Sequence, residues 1–206
     1  MKNAYHGLPP DRAATVLIIL DMISDFRFPH GPQVLRASRR IAPRIRALKE
    51  RVRAADLATI YVNDNLGQWR SDMPQLIELC AAPDAKGADV TDMLLPHPHD
   101  YFILKPRHSA FYATPLEMLL NHLQAERLIL TGVSSHQCVM FTANDAHVRN
   151  FKLIVPSDCI AGPAPGDTRF SLKYFRSVLR ADTRPSTSLR LSGKRRGSRK
   201  IPARSA

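Results

Sequence analysis

Five short apolar runs, separated by segments with helical character, constrain this chain more than any other feature. Thr15–Leu20, Leu57–Val62, Tyr101–Leu104, Arg127–Thr131 and Leu153–Val155 each read as a strand. They lack the polar alternation of a half-exposed strand, and near-continuous apolar runs belong to strands covered on both faces of a parallel sheet. Between the first two, Ile41, Ile45, Leu48 and Val52 recur at helical spacing amid Arg and Lys. That pattern predicts an amphipathic helix packed on the sheet, its basic face solvated. Leu116, Leu119, Leu120 and Leu123 repeat the spacing, with Thr114 as N-cap and Pro115 as first helical residue. A last helix is expected over Phe170–Leu179. The chain reads as α/β with a mostly parallel sheet.

Three divisions follow: an N-terminal extension over residues 1–14, a domain over 15–182, and a basic, disordered tail over 183–206. The formal net charge of +12 invites a nucleic-acid reading, so the position of the charge matters. From Leu189 onward there are seven cations (Arg190, Lys194, Arg195, Arg196, Arg199, Lys200, Arg204) and no acid, which leaves about +5 for the rest. Specific single-strand binding wants interleaved aromatics, and the tail has none, so specific nucleic-acid binding is not expected. Cys80, Cys138 and Cys159 form neither a disulfide framework nor a CxxC knuckle, which suits a reducing cytoplasm. No run approaches the roughly 18 apolar residues of a membrane span, and Met1–Pro10 has no signal-peptide core.

In an open parallel sheet, ligands gather outside the carboxyl ends of the strands. Asp21 follows the first run, Asn63-Asp64-Asn65 the second, Lys105 the third and Ser134–Cys138 the fourth. Cys138 is expected in the first turn of a helix, where free backbone N–H groups and the helix dipole favour a thiolate. Read as chemistry, Cys138 is a nucleophile, Asp21 its proton acceptor and later donor, and Lys105 an orienting cation; N–H groups at the helix start would hold an oxyanion. A buried structural cysteine, a capping aspartate and a solvated lysine are the competing readings of the same residues.

Three motifs resemble those of the isochorismatase-like cysteine hydrolase superfamily: Leu17-Ile18-Ile19-Leu20-Asp21 with Asp25-Phe26 beyond, Lys105-Pro106-Arg107-His108-Ser109-Ala110-Phe111, and Thr131-Gly132-Val133-Ser134-Ser135-His136-Gln137-Cys138-Val139. The resemblance runs from about Thr15 to Ala181. It implies a three-layer αβα, Rossmann-like fold with five or six strands, and a small amide or ureido substrate cleaved through a thioester. It also implies a cis peptide between Val133 and Ser134, an oxyanion hole from the N–H groups of Ser134 and Cys138, and a homo-oligomer. Asp25 and Phe26 would lie at the pocket wall, with Asn63, Trp69 and Arg70 as substrate-binding residues.

No cofactor or metal is expected. The nicotinamidase branch carries histidine ligands after its second strand, whereas here no His lies between His30 and His97. His97 and His99 in a Pro-rich loop are a weak zinc signal. The branch that opens a vinyl ether does not need the thiol, so Cys138 favours the amidases. Vinyl ether hydrolysis, a redox sensor using Cys159 as resolving thiol, and a non-catalytic scaffold remain the alternatives.

Overall fold

The computed structural model describes residues 12–67, 69 and 72–191. The strands are β1 (Thr15–Leu20), β2 (Ala58–Asp64), β3 (Tyr101–Lys105), β4 (Arg127–Val133), β5 (Lys152–Ile154) and β6 (Ile160–Ala161); the helices are α1 (Gly31–Ala54), α2 (Met73–Ala81), α3 (Ala88–Met93), α4 (Leu116–His122), α5 (Cys138–Val148) and α6 (Pro165–Ser177). The sheet runs β3-β2-β1-β4-β5, with β6 pairing alongside the last residues of β4, and every pairing is parallel.

The apolar runs are continuous because both faces of the sheet are covered. Val16, Ile18 and Leu20 of β1 face one way and join Val62, Leu128, Leu130 and residues of α4, α5 and α6. Leu17 and Ile19 face the other way and join Tyr61, Ile129 and residues of α1, α2 and α3. Alternate side chains of one strand thus feed two cores, which produces the three layers.

Gly132 shows how tightly the centre is built. At φ +107° its hydrogen points at β1, and a Cβ there would lie 2.0 Å from the Leu20 carbonyl oxygen. Only glycine fits that combination of conformation and contact.

Several expectations need correction. α4 begins one residue later than expected: Pro115 is the capping residue, while the Thr114 hydroxyl accepts from the Leu116 N–H at 3.2 Å and donates to the Ala110 carbonyl at 2.5 Å. The last helix starts and ends earlier, over Pro165–Ser177, because Pro165 suits the first turn and Asp167 accepts from the Ala164 N–H at 2.9 Å. The face of α1 is not simply solvated. Lys49 is 3% exposed, donating to the Leu95 carbonyl at 2.7 Å and pairing with Asp100 at 3.1 Å.

Residues 183–191 are not part of a disordered tail. Residues 183–191 lie along the body, held where Arg51 donates to the carbonyls of Ser186 at 2.7 Å and Leu189 at 2.5 Å. Asp158 accepts from both the backbone N–H and the hydroxyl of Ser186, each at 2.7 Å, and Leu189 is buried. Residues 192–206, which hold the other six cations of the C-terminal run, lie outside the described residues, as do residues 1–11. Among the described residues, no helix is long and apolar enough to cross a membrane.

Candidate active site

Strand register assembles the site before any loop does. Leu20 pairs with Val62 on one side and with Gly132 on the other, and Asp64 pairs with Lys105. Asp21, Asp64, Lys105 and the β4–α5 loop therefore emerge at one carboxyl edge, with the chain switching direction between β1 and β4.

Asp21 leaves β1 in a left-handed conformation, φ 52°, and its N–H donates to the Val62 carbonyl at 3.0 Å. Its Oδ1 accepts from the Asp64 N–H at 2.8 Å, and its Oδ2 lies 3.0 Å from Lys105 Nζ. Lys105 is fully buried, also 3.7 Å from Asp64 Oδ2, and donates to Cys138 Sγ at 3.5 Å. An ammonium in such a place must be paired, and it is. Burial acts to lower the Lys105 pKa, but its acidic neighbours, Asp21 foremost and Asp64 beside it, act the other way, and the ammonium is held more tightly than usual.

Cys138 is the first residue of α5, partly exposed. The N–H groups of Gln137 and Val139 on either side donate to the Ser134 carbonyl at 3.0 and 3.3 Å. The Cys138 N–H belongs to the first turn, where the helix itself supplies no acceptor. The peptide between Val133 and Ser134 is cis.

The expectation of a thiolate at rest is reversed. Burial pushes the Cys138 thiol up, and the nearby Asp21 carboxylate pushes further, while Lys105 pulls the other way without prevailing. A helix start lowers a thiol pKa only where desolvation and a neighbouring anion do not exceed its effect. The resting site is thus an Asp–Lys ion pair beside a neutral thiol. The other two cysteines are fully buried, and burial raises both thiols to about 12, with Asp25 adding to it at Cys80 and Asp158 at Cys159. That inaccessibility argues against Cys159 as a resolving thiol.

Two of the residues expected around the substrate are buried. Phe26 is 1% exposed and packs against Gly87 and Phe28, which supports the loop after β1. Asn63 is also 1% exposed and donates from Nδ2 to the Ile23 carbonyl at 2.7 Å, fixing that same loop. The Asn63 amide thus satisfies a buried carbonyl beside the site. Trp69 is 79% exposed, and Arg70 lies outside the described residues.

His108 was passed over although it stands within the lysine motif. Its Nδ1 lies 4.0 Å from Cys138 Sγ on the exposed side, opposite the buried ion pair, and its ring meets Phe141 at 5.3 Å between centroids. The signal was an imidazole three residues beyond the lysine. Asp64, the other neighbour missed, was visible only as one member of a polar triplet. His97 turns away from this edge and faces Glu50 at 3.3 Å. Among the described residues, no group of three or more His, Cys, Asp or Glu is placed to hold a metal.

A parallel α/β sheet with a buried lysine bridging an aspartate and a thiol at its carboxyl edge defines a hydrolase class. The isochorismatase domain model matches residues 15–183, and the chain belongs to the isochorismatase family of hydrolases. An isochorismatase family protein of Bacillus subtilis (strain 168), YaaI, is 39% identical over 171 residues, covering 83% of this chain and 93% of its own length. N-carbamoylsarcosine amidase of an Arthrobacter species is 27% identical over 168 residues, 76% of this chain; the match spans only 62% of that longer relative. The crystal structure of N-carbamoylsarcosine amidase from Thermoplasma acidophilum superimposes with a TM-score of 0.65 at 27% identity, covering 85% of this chain and 98% of that one.

Proposed function

We propose that the protein hydrolyses the C–N bond of a small amide or ureido compound through a thioester on Cys138. The observation that carries this reading is the continuous contact from Asp21 Oδ2 to Lys105 Nζ at 3.0 Å and from Lys105 Nζ to Cys138 Sγ at 3.5 Å. The two named amidases among its relatives support the C–N bond as the target.

The neutral resting thiol sets the order of events. As Sγ attacks the substrate carbonyl carbon, its proton passes to the Asp21 carboxylate, and Lys105 stabilises the sulfur while it carries negative charge. The carbonyl oxygen takes the electron pair and accepts from the N–H groups of Ser134 and Cys138. Asp21 then gives its proton to the leaving nitrogen, the C–N bond breaks, and an amine or ammonia departs. Water attacks the thioester, losing a proton to Asp21. The C–S bond breaks, the acid product leaves, and the sulfur regains a proton.

This account needs no cofactor. The test is ammonia release from a panel of primary amides and ureido compounds, wild type against Cys138→Ala. Release that is absent from the variant supports the reading. Release that persists in it refers the C–N cleavage to a group other than Cys138.

A further inference from the structure

One cavity of the molecule lies away from the thiol. A space of about 880 Å³ opens at the opposite edge of the sheet, where Thr15, Arg127 and Lys152 begin β1, β4 and β5. Its volume falls within the range of small-ligand pockets. Six of its lining residues can carry positive charge: Arg127, His147, Lys152, Arg180, Arg184 and Arg190. Asp182 is the one acid in the lining, and it is already engaged, its two oxygens taking the Arg184 guanidinium at 2.7 to 3.1 Å.

Part of this charge has a structural reason. His147 lies in the last turn of α5 and Arg180 just after α6, where cations complement the negative end of the helix dipole. That reason does not reach the strands. Arg127 and Lys152 are register partners on adjacent parallel strands, about 4.8 Å apart along the hydrogen-bonding direction and projecting to the same face. Like charges so placed repel and destabilise a sheet. Both are exposed, and neither forms an ion pair with an acid among the described residues. Arg190, on the C-terminal segment anchored by Arg51, adds a further cation to the lining, with no ion pair to an acid among the described residues.

We infer that this cavity binds a small anion carrying two or more phosphoryl groups, at a site separate from the hydrolytic edge. The ligand's charge relieves the repulsion between Arg127 and Lys152, and Arg180 and Arg190 close on it from α6 and the C-terminal segment. Nucleotides and inorganic polyphosphate share the phosphate chemistry, and the test separates them.

The experiment is titration calorimetry of the full-length chain with sodium tripolyphosphate and with ATP, repeated in sodium sulfate at matched ionic strength. One ion per chain is expected, retained in sulfate. Arg127→Gln with Lys152→Gln weakens it about tenfold or more, since charge-assisted hydrogen bonds are lost, whereas Arg195→Gln with Arg196→Gln leaves it unchanged. ATP binding more tightly than tripolyphosphate identifies the nucleotide as the source; equal or weaker ATP binding identifies inorganic polyphosphate. Arg190→Gln, a change outside the sheet, repeats the test should the double variant not fold. The inference is overturned by absence of saturable binding, by loss of binding in matched sulfate, by loss that follows the tail substitutions in place of the cavity ones, or by binding of oligonucleotides alone.

Discussion

Replacing Lys105 with Met keeps most of a fully buried aliphatic stem and removes the charge 3.5 Å from Cys138 Sγ. At an effective dielectric of about 20, a unit charge at that distance is worth about 5 kcal/mol to the thiolate. Protein relaxation reduces this to the shift of roughly 1 to 3 pKa units seen for opposite charges in contact. Lys105 is what opposes burial and Asp21, so the thiol of the variant rises further. Below its pKa, a thiol alkylates in proportion to its thiolate fraction, which falls roughly 10- to 1000-fold. The more basic thiolate is also the better nucleophile, with a Brønsted slope near 0.5, so the net loss is about 3- to 30-fold. The assay is the iodoacetamide rate at Cys138 at pH 8, resolved by peptide mass mapping. Breaking a buried pair destabilises, so the double variant Asp21→Asn with Lys105→Met, which removes both charges, serves as folded control. Alkylation of Lys105→Met at the wild-type rate or faster would refute the electrostatic role assigned to the ammonium.

Asp21→Asn has an opposite signature: it removes an anion that raises the thiol, so alkylation of Cys138 accelerates while turnover falls by roughly 10² to 10⁴; undiminished turnover contradicts the proton-acceptor role, and slowed alkylation contradicts the charge effect on the thiol. Gly132→Ala drives a methyl group into the Leu20 carbonyl and is expected to cost about 2 to 3 kcal/mol, a melting temperature lower by roughly 5 to 10 °C; a shift under about 2 °C would mean that β1 and β4 yield easily. Cys80 and Cys159 have folded pKa values raised to about 12, so the unfolded thiols ionise first, near 8.5, and stability is intact below that pH and declines as pH rises toward 12. The slope is about 1.4 kcal/mol per unit for each thiol. Cys80→Ala with Cys159→Ala should flatten the pH dependence of the melting temperature, and an equal slope in the variant would exclude these thiols as its source.

Much of the sheet was legible because buried parallel strands write themselves as apolar runs. β1 coincides with its run, Thr15–Leu20, and β3 and β4 extend theirs by one and two residues. The two-residue β6 is too short to leave a periodic pattern. Burial of Lys49 and docking of residues 183–191 depend on Asp100, Asp158 and Arg51, partners remote in sequence, and no local pattern reports them. At the site, the residue types after β1, β3 and β4 pointed to one edge, and the structure brings Asp21, Lys105 and Cys138 into contact. The state of the thiol was not legible, since the helix-start effect is local whereas desolvation and the Asp21 charge come from the fold. Phe26 and Asn63 illustrate the same gap: their positions beside the site were readable, but not that their side chains turn inward.

The most direct test of the central claim is mass spectrometry of acid-quenched enzyme taken during steady turnover of the best amide or ureido substrate. An adduct of the acyl mass on the Cys138 peptide, removed by hydroxylamine and enriched in Asp21→Asn under slowed hydrolysis, is the predicted result. Steady ammonia release without any adduct, or with an adduct on another residue, together with release retained by Cys138→Ala, would contradict it.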